Sequence, residues 1–297
     1  MANDIGWELY RSFLGVLREG SLSAAARSMG VAQPTVGRHV AALEKSLGLV
    51  LFIRTPGGLA PTEAAQALRS HAETLFSTAE ALKRTAESQG DGVRGTVRVT
   101  ASEVIGVEVL PPIVTALQQR HPDLRVELLL SNRVHNLLRQ EADIAVRMGQ
   151  PQQERLIVRR IGRLELGLHA HRDYLQRYGT PTSLAALSTH RLIGFDEETP
   201  FLRAARDAFP SWRREAFAVR SDSDVAQLAM MRAGGGIGIC QVALARREPT
   251  LIRLLPDVRL GLDACLTLHE DLRASPRCRA TLDALAEGLE RHLAAGA

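Results

Sequence analysis

Gly20-Ser21-Leu22-Ser23-Ala24-Ala25-Ala26-Arg27-Ser28-Met29-Gly30 is followed, after two residues, by Gln33-Pro34-Thr35-Val36-Gly37-Arg38-His39-Val40. In the first run, Ser21 or Ser23 can accept a hydrogen bond from the free N–H groups of a helix's first turn. Gly30 suits the left-handed position just past a helix end. A short helix through Met29 is therefore expected, and its three consecutive alanines permit close packing. In the second run Pro34 fits a first helical turn, where its missing N–H costs nothing. Val36, Val40, Leu43 and Leu47 recur at helical spacing and form a buried face. Arg38 lies opposite that face, and His39 beside it.

The flanks extend the pattern. Residues 4–18 read as a helix: Leu9, Phe13 and Val16, with Tyr10, Leu14 and Leu17, make one wide apolar stripe, and Gly20 ends it. Downstream, Leu49 to Arg54 is a β-rich run, and Thr55-Pro56-Gly57-Gly58 is a turn, so a short hairpin is predicted. Three short helices and a hairpin describe a winged helix-turn-helix over residues 1–60. In that geometry the third helix enters the major groove of double-stranded DNA with its N-terminal end against the bases. Gln33, Pro34, Thr35, Arg38 and His39 are the residues so presented; glutamine can pair with adenine and arginine with guanine. Ser21, Ser23 and Arg54 are placed for phosphate contacts, which position without reading sequence.

Thr62 to about Gln89 contains no glycine or proline and reads as one long helix, a linker over residues 61–90. Leu68, Ala72, Leu75, Ala79, Leu82 and Ala86 alternate spacings of four and three. That heptad seam predicts pairing with a second copy, giving a homodimer; the alternative is a helix packed on its own domain. Gly90-Asp91-Gly92 ends it. Strand-like segments then alternate with helical ones: 96–100, 126–130, 143–147, 157–161, 164–169, 191–195, 217–220, 237–240 and 266–269 as strands, with helices at 104–120, 222–232 and 276–292. Such alternation implies α/β units with parallel sheets.

Composition is compatible with all of this. With 297 residues, 45% of them hydrophobic and 24% charged, the chain can bury the cores of two or three domains. Basic residues exceed acidic ones by only 37 to 33, so net charge permits nucleic-acid binding without establishing it. An arginine- and alanine-rich chain is equally what a GC-rich genome encodes. No run approaches the ~20 apolar residues of a membrane span, and Met1-Ala2-Asn3-Asp4 does not resemble the start of a secretory signal. Three cysteines, Cys240, Cys265 and Cys278, make no disulfide framework. A cytoplasmic protein away from the membrane is expected.

Several superficial signals are discounted. Gly234-Gly235-Gly236-Ile237-Gly238 follows a helix and precedes a strand, the reverse of a dinucleotide loop, and reads as a helix stop. His169-Ala170-His171 lacks a third ligand at recognisable spacing, so no metal is expected. No Ser-His-Asp, Cys-His or paired-carboxylate motif stands out, so neither an enzyme nor a cofactor is expected. A solute-binding or transport protein would carry an export signal and would leave the N-terminal helices without a purpose.

Four segments in order carry a resemblance: Gly20-Ser21-Leu22-Ser23 with Ala25-Ala26; Gln33-Pro34-Thr35-Val36; Leu43-Glu44, Leu47-Gly48, Leu51-Phe52 and Arg54; and Pro61-Thr62-Glu63-Ala64. Together they resemble the N-terminal signature of LysR-type transcriptional regulators. Leu110-Pro111, His121-Pro122, Ala142 to Arg147 and Ala233 to Gly238 resemble that family's effector domain more loosely. Gly37, Ala65 and Gln241 depart from it, standing where the family usually has serine, glycine and proline.

The resemblance implies a periplasmic-binding-protein-like domain over residues 91–297, with two α/β subdomains crossed twice by the chain, near 162–164 and 264–266. Subdomain one is then about 93–162 plus 267–297, and subdomain two about 163–266. A small-molecule effector is expected between them, where strand ends meet helix N-termini. Ser102, Glu103, Ser131, Asn132 and Arg147 are the candidates from the first subdomain, and Phe195, Asp196, Ser223 and Asp224 those from the second. Arg147 favours a carboxylate; Glu103, Asp196 and Asp224 favour an amine-bearing or polar ligand. The resemblance further implies that two dimers form a tetramer, and leaves open a redox role for the cysteines.

Overall fold

The computed structural model describes residues 5–87, 92–132, 142–149, 156–210 and 212–296. They fall into two compact units, one built from the chain up to Thr85 and one from Ala86 onward.

The first unit comprises α1 (Trp7–Glu19), α2 (Leu22–Met29), α3 (Gln33–Leu47), the hairpin β1 (Phe52–Thr55) and β2 (Gly58–Pro61), and α4 (Glu63–Glu87). Helix α1 starts after Gly6, whose backbone is extended, and residue 4 of the expected helix lies outside the described residues. Ser21, not Ser23, caps α2: its Oγ accepts from the Ala24 N–H at 3.1 Å. Phe13, Val16, Ala25, Val36, Leu43 and Leu51 are buried in one cluster, which joins the three helices to the foot of the hairpin. Burial of each large apolar side chain contributes about 1.5–3 kcal/mol.

The hairpin is anchored by two side chains. Glu44 Oε1 accepts from the backbone N–H groups of Leu51 at 2.7 Å and Phe52 at 3.3 Å. Thr62 Oγ1 donates to the Val50 carbonyl at 2.8 Å and accepts from Ala65 N, so it caps α4 rather than belonging to it. The strand begins at Phe52, not Leu49, because the four residues of β2 pair only with Phe52–Thr55. Leu49 and Val50 are left exposed.

Along α4 the heptad seam divides. Leu68, Ala72 and the off-seam Phe76 pack on the three-helix core. Trp7 lies 6.4 Å from Phe76 between ring centroids, and the Arg18 guanidinium sits 4.9 Å over the same ring. Leu75 and Leu82 are 45% and 68% exposed. The first seam positions thus serve their own domain, and residues 88–89 of the expected helix lie outside the described residues.

The second unit contains β3 (Gly95–Ala101), α5 (Glu103–Glu108), α6 (Leu110–Arg120), β4 (Leu124–Leu130), β5 (Ile144–Met148), β6 (Leu156–His171), α7 (Arg172–Tyr178), β7 (Leu192–Gly194), α8 (Pro200–Ala208), β8 (Phe217–Arg220), α9 (Asp224–Arg232), β9 (Ile237–Gln241), α10 (Val242–Ala245), β10 (Leu251–Leu254), β11 (Leu260–His269) and α11 (Pro276–Ala294). The strands follow the order β4-β3-β5-β11-β6-β9-β7-β8, with β10 also on β6. The outer pairs, β4/β3/β5 and β9/β7/β8, are parallel. The central ones, β5/β11, β11/β6 and β6/β9, are antiparallel, so the sheet is mixed rather than parallel throughout.

Two sequence expectations are corrected here. Residues 157–161 and 164–169 belong to one strand, β6, whose 16 residues run through Gly162 without a break. Its ladder with β11 slips register between Ala264 and Cys265, opposite Gly162 and Arg160. The helix expected over 104–120 is two helices parted at Val109. Pro111 and Pro112 cannot donate to the carbonyls of the preceding turn, and the Glu108 carbonyl accepts instead from Arg247 Nη1 at 3.2 Å.

Gly58 generates a prediction for the hairpin. At φ 124°, a Cβ there would lie 2.8 Å from the Gly20 carbonyl oxygen, which accepts from the Leu59 N–H at 2.9 Å. Gly58→Ala is expected to destabilise the first unit by about 1–3 kcal/mol, and Gly57→Ala, with no such obstruction, by much less. Denaturant titration measures both; equal effects would remove the claim that this contact seats the hairpin.

Candidate nucleic-acid interface and ligand cleft

Helix α3 buries Val36, Val40 and Leu43, which turns the N-terminal end of its other face outward. Gln33, Pro34 and Arg38 are exposed there, with Thr35 half-buried and 3.5 Å from Arg38 Nη2. Ser23 on α2 and Arg54 on β1 are also exposed. Two expected contacts are already engaged. His39 Nδ1 is 2.8 Å from Oγ of the fully buried Ser12, so the imidazole leans toward α1 instead of standing free. The Ser21 hydroxyl is occupied as the α2 cap.

In the second unit, the N-termini of α5 and α9 meet. Ser223 caps α9 and donates from Oγ to Glu103 Oε2 at 2.7 Å. The Glu103 N–H donates to Asn132 Oδ1 at 3.1 Å. The Asp224 carboxyl hydrogen-bonds with Asn132 and Glu103, and burial, reinforced by the neighbouring Glu103 charge, pushes it up to about 6. Its Oδ1 is buried without a partner among the described residues. Glu103, Asn132, Ser223 and Asp224 therefore form one cluster, drawn from the parallel strand groups on either side of the β6–β11 pair, while Ser102 precedes α5 without a side-chain cap bond.

Arg147, Asp196 and Phe195 are engaged elsewhere. Arg147 Nη2 donates to Thr100 Oγ1 at 2.7 Å, and burial lowers its guanidinium's affinity for the proton. Asp196 pairs with Arg214 at 2.7 Å, while its N–H and that of Glu197 donate to Asp222 Oδ1. Phe195 meets Phe201 edge-on at 6.0 Å. The Ser131 N–H donates to the Ala101 carbonyl.

Residues 7–66 match the family model described as "Bacterial regulatory helix-turn-helix protein, lysR family". Residues 90–290, more than half the chain, match "LysR substrate binding domain". The chain belongs to the LysR family. An HTH-type transcriptional regulator of Xanthomonas campestris is 30% identical over 61% of this chain and 53% of its own length. The HTH-type transcriptional regulator CrgA of Neisseria meningitidis is 30% identical over 62% of each chain. These alignments span less than two thirds of the curated relatives they match. The solved structure of full-length CbnR complexed with its target DNA shares the fold at a TM-score of 0.66 and 22% identity, covering 98% of this chain and 100% of that one.

Within this LysR-family chain the departures have visible settings. A Cβ at Gly37 would meet only Leu22 Cδ1, at 3.6 Å, so the serine usual in the family would fit. Ala65 is fully buried in the first unit's core. Gln241 accepts at Oε1 from His292 Nε2 at 2.9 Å, and Arg247 Nη2 lies 2.7 Å from His292 Nδ1. Burial and the Arg247 charge lower the His292 imidazole to about 4, so it is neutral at ordinary pH.

Sequence reasoning missed a second contact between the halves. Arg232 at the end of α9 donates to Glu108 Oε1 at 2.6 Å and Oε2 at 2.9 Å, and also binds Glu248. The hydrogen bonds from Arg232 lower Glu108 below the usual carboxylate range. No local signal could have joined residues 124 positions apart.

His169 and His171 are spent separately, the first against the Gly167 carbonyl at 2.9 Å and the second as the cap of α7. Among the described residues no group of three His, Cys, Asp or Glu side chains could hold a metal, and no helix is long and apolar enough to cross a membrane. None of the three cysteines forms a disulfide, all three are buried, and burial pushes the Cys240 thiol up to about 12.

The acidic cluster makes stability depend on pH. Folded Asp224 keeps its proton to about pH 6, against an ordinary value of 3.8. Its contribution is therefore fully present below about 3.8 and lost as the pH rises through about 6. Asp224→Asn should exceed the parent in stability above that pH by about 1–2 kcal/mol and flatten the dependence in between. Urea titrations on either side of pH 6 test this; an unaltered pH profile in the variant would move the titration to another group.

Proposed function

We propose that this protein is a sequence-specific, DNA-binding transcriptional regulator rather than an enzyme, with activity set by a small-molecule effector held between the halves of its second unit. The observation that carries the reading is the exposed N-terminal end of α3, with Gln33, Pro34 and Arg38 facing solvent over a buried Val36, Val40 and Leu43 floor. It lies within the stretch that matches the family's regulatory helix-turn-helix. Gln33, Thr35 and Arg38 read base edges in the major groove, and Ser21, Ser23 and Arg54 hold phosphates. His39 acts through Ser12 to fix how α3 sits on α1.

The division follows that of the sequence: a DNA-binding domain over residues 1–60, a linker helix over 61–90 and an effector domain over 91–297. Leu75 and Leu82, exposed on α4, are the surface through which two copies pair, and two dimers make the tetramer. Ser102, Glu103, Ser131, Asn132, Ser223 and Asp224 hold the effector, with Arg147, Phe195 and Asp196 at the margins. Effector binding shifts a population between arrangements of the two halves, because it favours one over the other. The protein works in the cytoplasm without a cofactor.

A mobility-shift titration against the upstream intergenic DNA of the encoding gene tests this. The parent should give a saturable shift that weakens steeply with salt. Arg38→Ala should lose about 1–3 kcal/mol of specific affinity, roughly tenfold or more, with its oligomeric state intact. Leu82→Glu should instead reduce the oligomer seen by light scattering. Loss of the oligomer in Arg38→Ala would overturn the assignment of α3. The absence of a specific shift with any DNA selected from the genome would overturn the function.

A further inference from the structure

A recess of about 400 Å³ lies where β6 crosses β11, with no residue in common with the acidic cluster. Its apolar lining includes Leu164, Leu260, Ala243 and Leu293, and its charged groups are Arg163, Arg259 and Glu165. The recess joins the two crossing strands to α10 and to the end of α11, and its volume is in the range of small-molecule sites.

The charges in it are unequally satisfied. Glu165 is already neutralised: it accepts from Arg253 Nη2 at 2.5 Å. Arg259 lies 3.7 Å from the same carboxylate, is 65% exposed, and among the described residues otherwise donates only to the Pro256 carbonyl. The ladder neighbour of Arg163 is Asp263, and that carboxylate is held by Arg160 at 2.7 Å. Among the described residues the Arg163 guanidinium has neither an ion-pair nor a hydrogen-bond partner. It is nonetheless seated. It lies across Gly261, where a Cβ would come 2.0 Å from Nε and 2.7 Å from Cζ, so only glycine leaves room for the side chain in this position.

We infer that this recess is a second ligand site, specific for a small organic carboxylate with an apolar body. Arg163, with Arg259 beside it, takes the carboxylate through charge-assisted hydrogen bonds. The leucines and Ala243 cover the hydrocarbon. A neutral or cationic analogue of the same shape would leave the guanidinium unpaired and bind weakly. The ligand touches both crossing strands and α10 and α11, so its occupancy favours one setting of the crossing.

The test uses the full-length protein and hexanoate, with 1-hexanol and hexylamine as neutral and cationic controls, by isothermal calorimetry at constant ionic strength. Saturable binding of hexanoate at about 1 mM is expected for a ligand of this size, with neither control binding. Arg163→Met should weaken it at least about tenfold. Gly261→Ala should weaken it comparably by displacing the guanidinium while keeping its charge. Both variants should melt close to the parent when no ligand is added. Glu103→Gln should leave hexanoate binding unchanged, which separates this site from the proposed effector cleft. Absence of saturable binding, equal binding of 1-hexanol, or full affinity in Arg163→Met would overturn the site. Loss of binding in Glu103→Gln would place hexanoate in the cleft and overturn it as well, whereas a DNA-binding failure alone would not touch it.

Discussion

The β6–β11 ladder is the constraint on which the second unit depends. It pairs the strands from His269↔Leu156 at one end to Leu260↔Leu166 at the other. One stretch of it serves the half that contains β3, β4 and β5, and the other serves the half that contains β7, β8 and β9. A backbone that must stay hydrogen-bonded cannot let the halves drift apart freely. The register slip at Ala264/Cys265 is the one place along the ladder where the pairing is relaxed. Side-chain contacts between the strand groups on either side of the ladder add to what the ladder holds.

How much of this was legible depended on whether the signal was local. The three short helices of the first unit are amphipathic and each ends at a glycine, so their order and their exposed end could be read from spacing. The role of Glu44 was present only as a motif position; that its carboxylate receives Leu51 and Phe52 N–H groups required the fold. His39 looked like a free polar group because its partner, Ser12, lies 27 residues back on a different helix. The serines and acids that cluster at the ends of β3 and the start of α9 were readable as strand-to-helix junctions, but their meeting across the halves was not.

The misread elements share one cause. Residues 156–171 contain Arg159, Arg160, Gly162 and Arg163 in succession, a polar interruption that resembles a loop. In the structure those arginines lie where the strand passes between two cores and has no interior to face, so the apolar alternation lapses while the hydrogen bonding continues. The first half of β11, where Gly261 and Asp263 alternate with Leu260 and Leu262, escaped notice for the same reason. The crossing is thus hidden in the sequence by the very feature that gives it solvent-facing charges.

Helices α5 and α9 show how the fold makes one contact firm and another responsive. They run side by side with matching ends together: Glu103 beside Ser223 and Asp224 at the N-termini, Glu108 on Arg232 near the C-termini. At the C-terminal end one guanidinium lies between two carboxylates and is satisfied by both, which gives charge-assisted bonds that are costly to break. At the N-terminal end two carboxyls face each other, and only a retained proton and the Ser223 and Asn132 hydrogen bonds hold them together. The helix N-termini favour negative charge there, yet their combined effect leaves Asp224 up at about 6. Any cation, donor or proton arriving between those two carboxyls therefore changes the balance at one end of the helix pair while the other stays fixed. The two ends of the helix pair thus differ in kind: a guanidinium satisfied by two carboxylates at Arg232, and a contact that depends on a retained proton at Asp224.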